Sequence, residues 1–172
     1  MIAVAAAAAI FAVLYYSGLF LPSYTVWHTF SIEGTGEDEP ELIELKGRRV
    51  RVYDGGRVIF ESPGFCRVSN MIYSDIDRDG EKELTLLNYN IGEFGSRRPF
   101  WVRFDPPIYR QHIYIYDYRA DEKQIRPIWM ASDIGVKAGD FEPVDEDVLR
   151  ITDYKGQVSN WMWISFGLRC VD

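Results

Sequence analysis

The sequence predicts an all-β domain of antiparallel sheets that follows one N-terminal transmembrane helix. Residues 1–30 carry no Asp, Glu, Lys or Arg, and they begin with a run of alanine and larger apolar residues. The later chain is made of short stretches in which apolar and polar residues alternate, which is typical of strands with one buried face. After residue 30 no stretch keeps a helical period. A break in composition therefore separates a helical segment from a β-rich body.

Composition and charge exclude several classes of protein. The 172 residues include 26 Asp or Glu and 19 Lys or Arg, a net charge of −7. Such an acidic chain is unsuited to nucleic acid, because neutralising phosphates requires clustered Lys and Arg. Aromatic residues make up 15%, too many for a disordered chain. Two cysteines are too few for a disulfide scaffold or a four-cysteine zinc site.

The apolar segment 2–21 predicts the transmembrane helix, within an anchor and interfacial segment of residues 1–30. Twenty residues form about 30 Å of α-helix, the thickness of the hydrocarbon core. Pro22 would end the helix. The predicted location is a single-pass membrane protein with its C-terminal domain outside the cytoplasm; the alternative is a cleaved signal peptide and secretion. Aromatic side chains suited to the membrane interface lie at the end of the segment: Tyr15, Tyr16, Tyr24 and Trp27.

The remaining chain divides into a linker and a domain. Residues 33–40 read EGTGEDEP, and glycine, proline and acidic residues are typical of a solvated tether. The prediction is an acidic linker at residues 31–41 and a β-repeat domain at residues 42–172. A second acidic group consists of Glu142, Asp145, Glu146 and Asp147, which we expect to form a solvated turn.

A β-hairpin is predicted at residues 49–61, where two alternating runs flank Gly55-Gly56. A short sequence pattern that recurs along the chain predicts further hairpins. In three places an aliphatic residue is followed two positions later by Asp, at Asp54, Asp117 and Asp153, where the side chain suits a turn. The other predicted strands are 67–73, 83–89, 112–118, 125–130, 148–152 and 161–166.

The strongest local signal for a metal site is the segment 75–83, DIDRDGEKE. Alternate carboxylates on a tightly curved loop converge on one point, and calcium prefers about six to eight oxygen ligands. Gly80 allows the sharp turn, and the carbonyl of Glu81 would be a backbone ligand. The segment does not fit an EF-hand, because the twelfth position falls on Leu86 and because predicted strands flank the loop. The alternative is an acidic β-turn without an ion, in which the carboxylates repel one another.

Residues 68–90, VSNMIYSDIDRDGEKELTLLNYN, resemble one repeat of the FG-GAP or VCBS-type β-propeller proteins of bacteria. The segment has the same order of elements as the family repeat: a strand, the DxDxDG loop and an apolar strand. The resemblance implies a structural calcium ion bound by the side chains of Asp75, Asp77, Asp79 and Glu83. Glu83 is a departure, since Asp is usual at the last ligand position of the integrin-type repeat.

The resemblance extends more loosely over residues 48–166. It implies propeller-blade-like sheets, with material for about two and a half blades, which is too little for a closed ring. The chain would then form a short open relative, or assemble with copies of itself or with partners. Residues 139–147 lack the spacing and the glycine of a second calcium loop, and we expect no ion there.

An insertion at residues 90–110 interrupts the repeat between two strands. Long loops inside compact domains often carry function, and aromatic faces beside guanidinium groups could bind a carbohydrate, a peptide or an acidic polymer. The alternative is that the aromatic residues fold back onto the sheet. The candidate ligand-binding residues are Arg97, Arg98, Trp101, Arg103, Tyr109 and His112.

Three functions are compatible with these sequence features. The first is a membrane-anchored calcium-binding module that binds or scaffolds a protein or carbohydrate. The second is a polymer-degrading hydrolase with the insertion as its cleft, which would need two carboxylates or a His–acid pair at catalytic separation. The third is a structural subunit, such as a homo-oligomer, assembled through open sheet edges. No catalytic spacing is recognisable, and Cys66 and Cys170 could form one disulfide outside the cytoplasm.

Overall fold

The computed structural model describes residues 2–95, 98–131, 133–145 and 147–171. Within these ranges the chain forms one helix, α1 (Ile2–Tyr16), and twelve strands in three four-stranded antiparallel sheets. Each sheet is a meander of four consecutive strands. The all-β fold predicted from the sequence is confirmed, and the number of sheets is three.

The bounds of the strands follow the chain in order. The first sheet contains β1 (Phe30–Glu33), β2 (Leu42–Lys46), β3 (Arg49–Asp54) and β4 (Arg57–Glu61). The middle sheet contains β5 (Arg67–Ser74), β6 (Glu83–Ile91), β7 (Tyr109–Arg119) and β8 (Gln124–Met130). The third sheet contains β9 (Ala138–Asp145), β10 (Val148–Asp153), β11 (Val158–Trp163) and β12 (Leu168–Cys170).

The middle sheet is covered on both faces. Even-numbered apolar residues of β6, such as Leu84 and Leu86, pack in a cluster with Val50 and Val52 of the first sheet. Odd-numbered residues of β6 and β7 face the other way and form a second cluster with the third sheet: Leu87, Ile113, Ile115, Phe141, Leu149 and Ile151. Because both faces are covered, the residues of β6 and β7 are buried almost without interruption, polar ones such as Asn88 and His112 included.

The predicted hairpin at residues 49–61 is present as β3 and β4. Gly55 and Gly56 both have positive φ, +56° and +68°, the conformation that a tight two-residue hairpin turn requires. Four strands were not predicted. β1 overlaps the first residues of the predicted acidic linker, β2 begins directly after that linker, and β9 includes Glu142 and Asp145 of the expected solvated turn. These strands, together with the short β12, complete the first and third sheets.

The predicted transmembrane anchor and single-pass location are wrong. The helix ends at Tyr16, and its 15 residues extend about 22 Å, less than the roughly 30 Å hydrocarbon core. Gly18, with φ of +80°, stops it, because a residue in the left-handed conformation closes a helix C-terminus. Among the described residues no helix is long and apolar enough to cross a membrane.

The C-terminal end of α1 is attached to the middle sheet. The hydroxyl of Tyr109 donates to the carbonyl of Tyr15 at 3.1 Å, and the two rings lie 5.3 Å apart. Arg67 donates from Nη2 to the carbonyl of Tyr16 at 2.8 Å. The two cysteines are free: Cys66 is buried, Cys170 is exposed, and burial raises the pKa of the Cys66 thiol to about 11.

Candidate metal centre

The acidic loop lies between β5 and β6, the first two strands of the middle sheet. Its carboxylates bind the amides of their own loop. Asp75 accepts hydrogen bonds from the backbone N–H of Asp79 at 3.1 Å and of Gly80 at 3.0 Å. Asp79 accepts one from the N–H of Glu81 at 2.9 Å. Such side-chain bonds to nearby amides are the local reason that this sequence curls rather than extends.

Left-handed backbone at two positions completes the turn. Arg78 has φ of +65° and Gly80 has φ of +95°. For Gly80 this conformation is free of steric cost, and a Cβ added there would meet nothing within 4 Å. The predicted role of Gly80 in allowing the sharp turn is consistent with this geometry.

Glu83 is the buried member of the group. It is the first residue of β6, is only 2% exposed, and accepts a hydrogen bond on Oε2 from the N–H of Ile76 at 2.9 Å. Burial, together with the smaller effect of the charges of Asp77, Asp79 and Asp75, raises the pKa of its carboxyl to about 8, although the hydrogen bond from Ile76 acts in the opposite direction. A neighbouring cation would favour the ionised form instead.

Three carboxylates converge. Asp75, Asp77 and Glu83 each offer one oxygen, and these three oxygens lie within 4.8 Å of one another. Two ligands on opposite sides of a calcium ion, each about 2.4 Å from it, are separated by about this distance. Burial and the charges of Asp79 and Asp75 raise the pKa of Asp77, as expected of carboxylates held together without an ion.

One predicted side-chain ligand, Asp79, lies outside this convergent group. The side chain of Asp79 is exposed and its carboxylate accepts from the N–H of Glu81. Glu81 was predicted to contribute its backbone carbonyl, and its side chain is exposed too. The structure therefore brings together three of the four predicted side-chain ligands, and the backbone ligand at Glu81 stays a prediction.

Ion pairs connect the loop to both flanking sheets. Arg78 pairs with Asp147, beside the start of β10 in the third sheet. Lys82 donates to Glu39 at 2.7 Å, in the segment between β1 and β2 of the first sheet. A cleft of about 730 Å³ opens beside the loop, lined by Asp75, Arg78, Asp79, Gly80, Asp145 and Asp147. Sequence reasoning missed these partners because each is distant along the chain.

The predicted ligand-binding residues do not all lie on one exposed surface. Arg97 lies outside the described residues, while Arg98, Trp101 and Arg103 are exposed. The hydroxyl of Tyr109 is bonded to the end of α1. His112 is fully buried: its Nδ1 is 3.0 Å from the carbonyl of Ala131 and its Nε2 is 3.1 Å from that of Gly92.

The aromatic residues of the insertion do not fold back onto the sheet. Phe100 is 93% exposed, Trp101 70% and Phe104 74%. The base of the insertion is held instead by Asp105, which accepts from the N–H of Glu93 at 2.6 Å and of Phe94 at 3.2 Å. A fixed base that presents exposed aromatic rings is the arrangement expected of a contact surface.

One His–acid pair is present that sequence spacing did not indicate. Nε2 of His28 lies 2.8 Å from Oδ2 of Asp140, and Asn70 donates to the other oxygen of Asp140 at 2.7 Å. The backbone N–H of His28 also donates to the carbonyl of Ser69. These bonds join the segment before β1 to β5 and β9, so the arrangement is that of a structural tie. No protein-family model, curated protein or solved structure matches the chain.

Proposed function

We propose that the chain is a calcium-binding β-repeat domain of the FG-GAP or VCBS type that acts as a binding or scaffolding module. The observation that carries the proposal is the convergence of Asp75, Asp77 and Glu83 on one point, with Glu83 almost completely buried. A buried carboxylate next to two others is costly unless a proton or a cation offsets the charge.

The donor set favours calcium among the common metal ions. Every side-chain donor of the group is a carboxylate oxygen, whereas zinc, copper and iron sites generally include nitrogen or sulfur. The open side of the loop faces solvent through the exposed Asp79 and Gly80, so water could complete the six to eight ligands of calcium. Such a site, filled by protein and water, suits a structural role.

The arrangement of the sheets supports propeller-like blades. Three successive four-stranded meanders follow one another along the chain, and β5 of the middle sheet contacts β9 of the third. In propellers each blade is a four-stranded sheet. Three blades form an open array, and the loop links the first two strands of the middle one.

The ion pairs of the loop suggest what calcium would do. Through Arg78 the loop reaches the third sheet, and through Lys82 it reaches the first. Calcium would hold the loop in one conformation and would thereby fix both contacts. We infer a scaffold in which the ion-bound loop fixes the positions of the three sheets relative to one another.

Thermal unfolding of the full chain tests calcium binding. At 100 times the dissociation constant, calcium should stabilise the fold by about 2.7 kcal/mol, raising the melting temperature by roughly 5–10 °C. Asp77→Ala should abolish the rise, whereas Asp121→Ala, an exposed acid on the β7–β8 turn, should retain it. Identical melting in calcium and in a chelator would refute the proposal.

The binding role rests on the insertion. Phe100 and Trp101 are in contact, with ring centroids 4.8 Å apart, and both are largely exposed. Arg98 and Arg103, two positions to either side in the sequence, are exposed as well. Aromatic faces with guanidinium groups fit a carbohydrate or peptide ligand. Glycan and peptide arrays should give signals that disappear in a Phe100→Ala, Trp101→Ala double variant; unchanged signals would exclude this surface.

A further inference from the structure

A second buried carboxylate stands next to Glu83 on the middle sheet. Asp117 of β7 is the direct cross-strand partner of Glu83 in β6, and it is only 6% exposed. Directly paired residues of an antiparallel ladder place their side chains on the same face, about 5 Å apart at Cβ. Two carboxylates at that separation repel each other unless something positive lies nearby.

The hydrogen bonds of Asp117 leave one oxygen unused. Its Oδ2 lies 2.7 Å from Nε of Arg119, whose side chain is about half exposed. Its Oδ1 is buried and has no hydrogen-bond partner among the described residues. A buried carboxylate oxygen without a donor is costly, and such orphaned atoms commonly indicate a water or an ion.

Asp117 is within electrostatic reach of the loop. Its cross-strand partner Glu83 directly follows the loop at the start of β6 and is one of the three convergent carboxylates. Asp117 is nevertheless absent from the three oxygens that lie within 4.8 Å of one another. It therefore stands close to the ion position without being a direct ligand of an ion centred among those three.

We propose that Asp117 is an outer ligand of the cation site, and that its free Oδ1 holds a water molecule coordinated to the ion. The inference rests on the proposed calcium site. It makes the site span three strands, because the loop follows β5, Glu83 opens β6 and Asp117 belongs to β7. Arg119 then opposes ion binding, since it neutralises part of the charge of Asp117.

Calorimetric titration of the chelator-treated full chain with calcium chloride tests this role. Asp117→Asn keeps the shape of the side chain and removes its charge, and it should weaken calcium binding about tenfold, as loss of an outer-shell partner typically does. Asp121→Asn removes the same charge from an exposed position on the β7–β8 turn and should change the affinity less than twofold. An Asp117→Asn affinity within twofold of the wild type would overturn the inference.

A coupled variant separates a local role from general electrostatics. When Asp117 is present, Arg119→Gln should raise the calcium affinity about threefold or more. In the Asp117→Asn background the same substitution should leave the affinity unchanged. An equal gain in both backgrounds would mean that Arg119 acts through bulk charge, which would also overturn the inference. Should Asp117→Asn fail to fold, Arg119→Gln is compared with Lys123→Gln, which removes a positive charge from the same hairpin; equal effects of the two would refute the role of Asp117.

The outcomes distinguish the two proposals. A wild-type chain that does not bind calcium overturns both the calcium site and the role of Asp117. If the wild-type chain binds calcium and the Asp117→Asn variant binds it equally well, only the role of Asp117 is overturned. If Arg119→Gln raises the calcium affinity only when Asp117 is present, the result supports both the calcium site and the role of Asp117.

Discussion

The two connections at the ends of β6 differ in length, chemistry and exposure. The loop before β6 is short and turns its carboxylates onto its own amides and towards the buried Glu83. The connection after β6 is long and leaves Phe100, Trp101 and Phe104 in solvent. One end of the strand concentrates negative charge that a cation can offset, and the other presents apolar surface that a partner can cover. Ion binding and partner binding would thus be separate properties of one strand.

The largest expected effect is at the charged end. Glu83→Gln should weaken calcium binding by more than about 100-fold, because it removes the one buried carboxylate of the group. The ion-free fold should be as stable as the wild type at pH 7, since the raised pKa already keeps Glu83 mostly protonated there. Calorimetry and thermal melts in a chelator measure the two quantities. A large loss of ion-free stability would show that Glu83 has a structural role instead.

The pH dependence of calcium binding comes next. Since Glu83 has a pKa of about 8 without an ion and must ionise to bind one, affinity should rise about tenfold for each pH unit up to 8 and then level off. Close to one proton should be released at pH 7, which titrations in buffers of different ionisation enthalpy can count. A flat profile between pH 6 and 8 would contradict the assignment of Glu83 as a ligand.

The same shift affects stability without the ion. Between the unfolded pKa of 4.5 and the folded pKa of about 8, the folded chain binds more protons than the unfolded chain, so stability falls as pH rises. In saturating calcium Glu83 stays ionised, and this contribution should vanish. Melting temperatures at several pH values, with chelator and with calcium, would show whether the two curves diverge as expected.

A smaller effect is expected at the base of the insertion. Asp105→Ala removes the acceptor for two backbone amides, of Glu93 and Phe94, and should lower the free energy of unfolding by about 1–2 kcal/mol. Calcium affinity should stay unchanged, because the insertion lies at the other end of β6. Denaturant unfolding and calcium titration of the same variant make this comparison, and a change in calcium affinity would show that the two ends are coupled.

The smallest effect is expected at the tip of the insertion. Trp101→Ala should change stability by less than about 0.5 kcal/mol, because the side chain is 70% exposed. Any loss of array binding in this variant then reports the contact surface rather than the fold. Trp129→Ala is the matched comparison. Trp129 packs against the second cluster, so its truncation should clearly destabilise the fold.

Parts of the fold could be predicted because their signals are local. The β3–β4 hairpin follows from alternating residues around Gly55-Gly56, and the acidic loop follows from its own spacing. β9 could not be recognised, since Gly139, Asp140 and Pro143 read as a turn and only pairing with β10 makes the segment a strand. The end of α1 had a local signal, Gly18, that the apolar pattern concealed.

Alternation and short-range turn chemistry act over a few residues, so the sequence was enough to predict the all-β class and a calcium loop with Asp75, Asp77, Asp79, Glu81 and Glu83 as ligands. Tertiary structure decided which carboxylates meet. The register of β6 and β7 places Asp117 opposite Glu83, and the covering sheets bury both. Strand register and burial depend on contacts between distant segments, and for that physical reason they could not be derived from spacing along the chain.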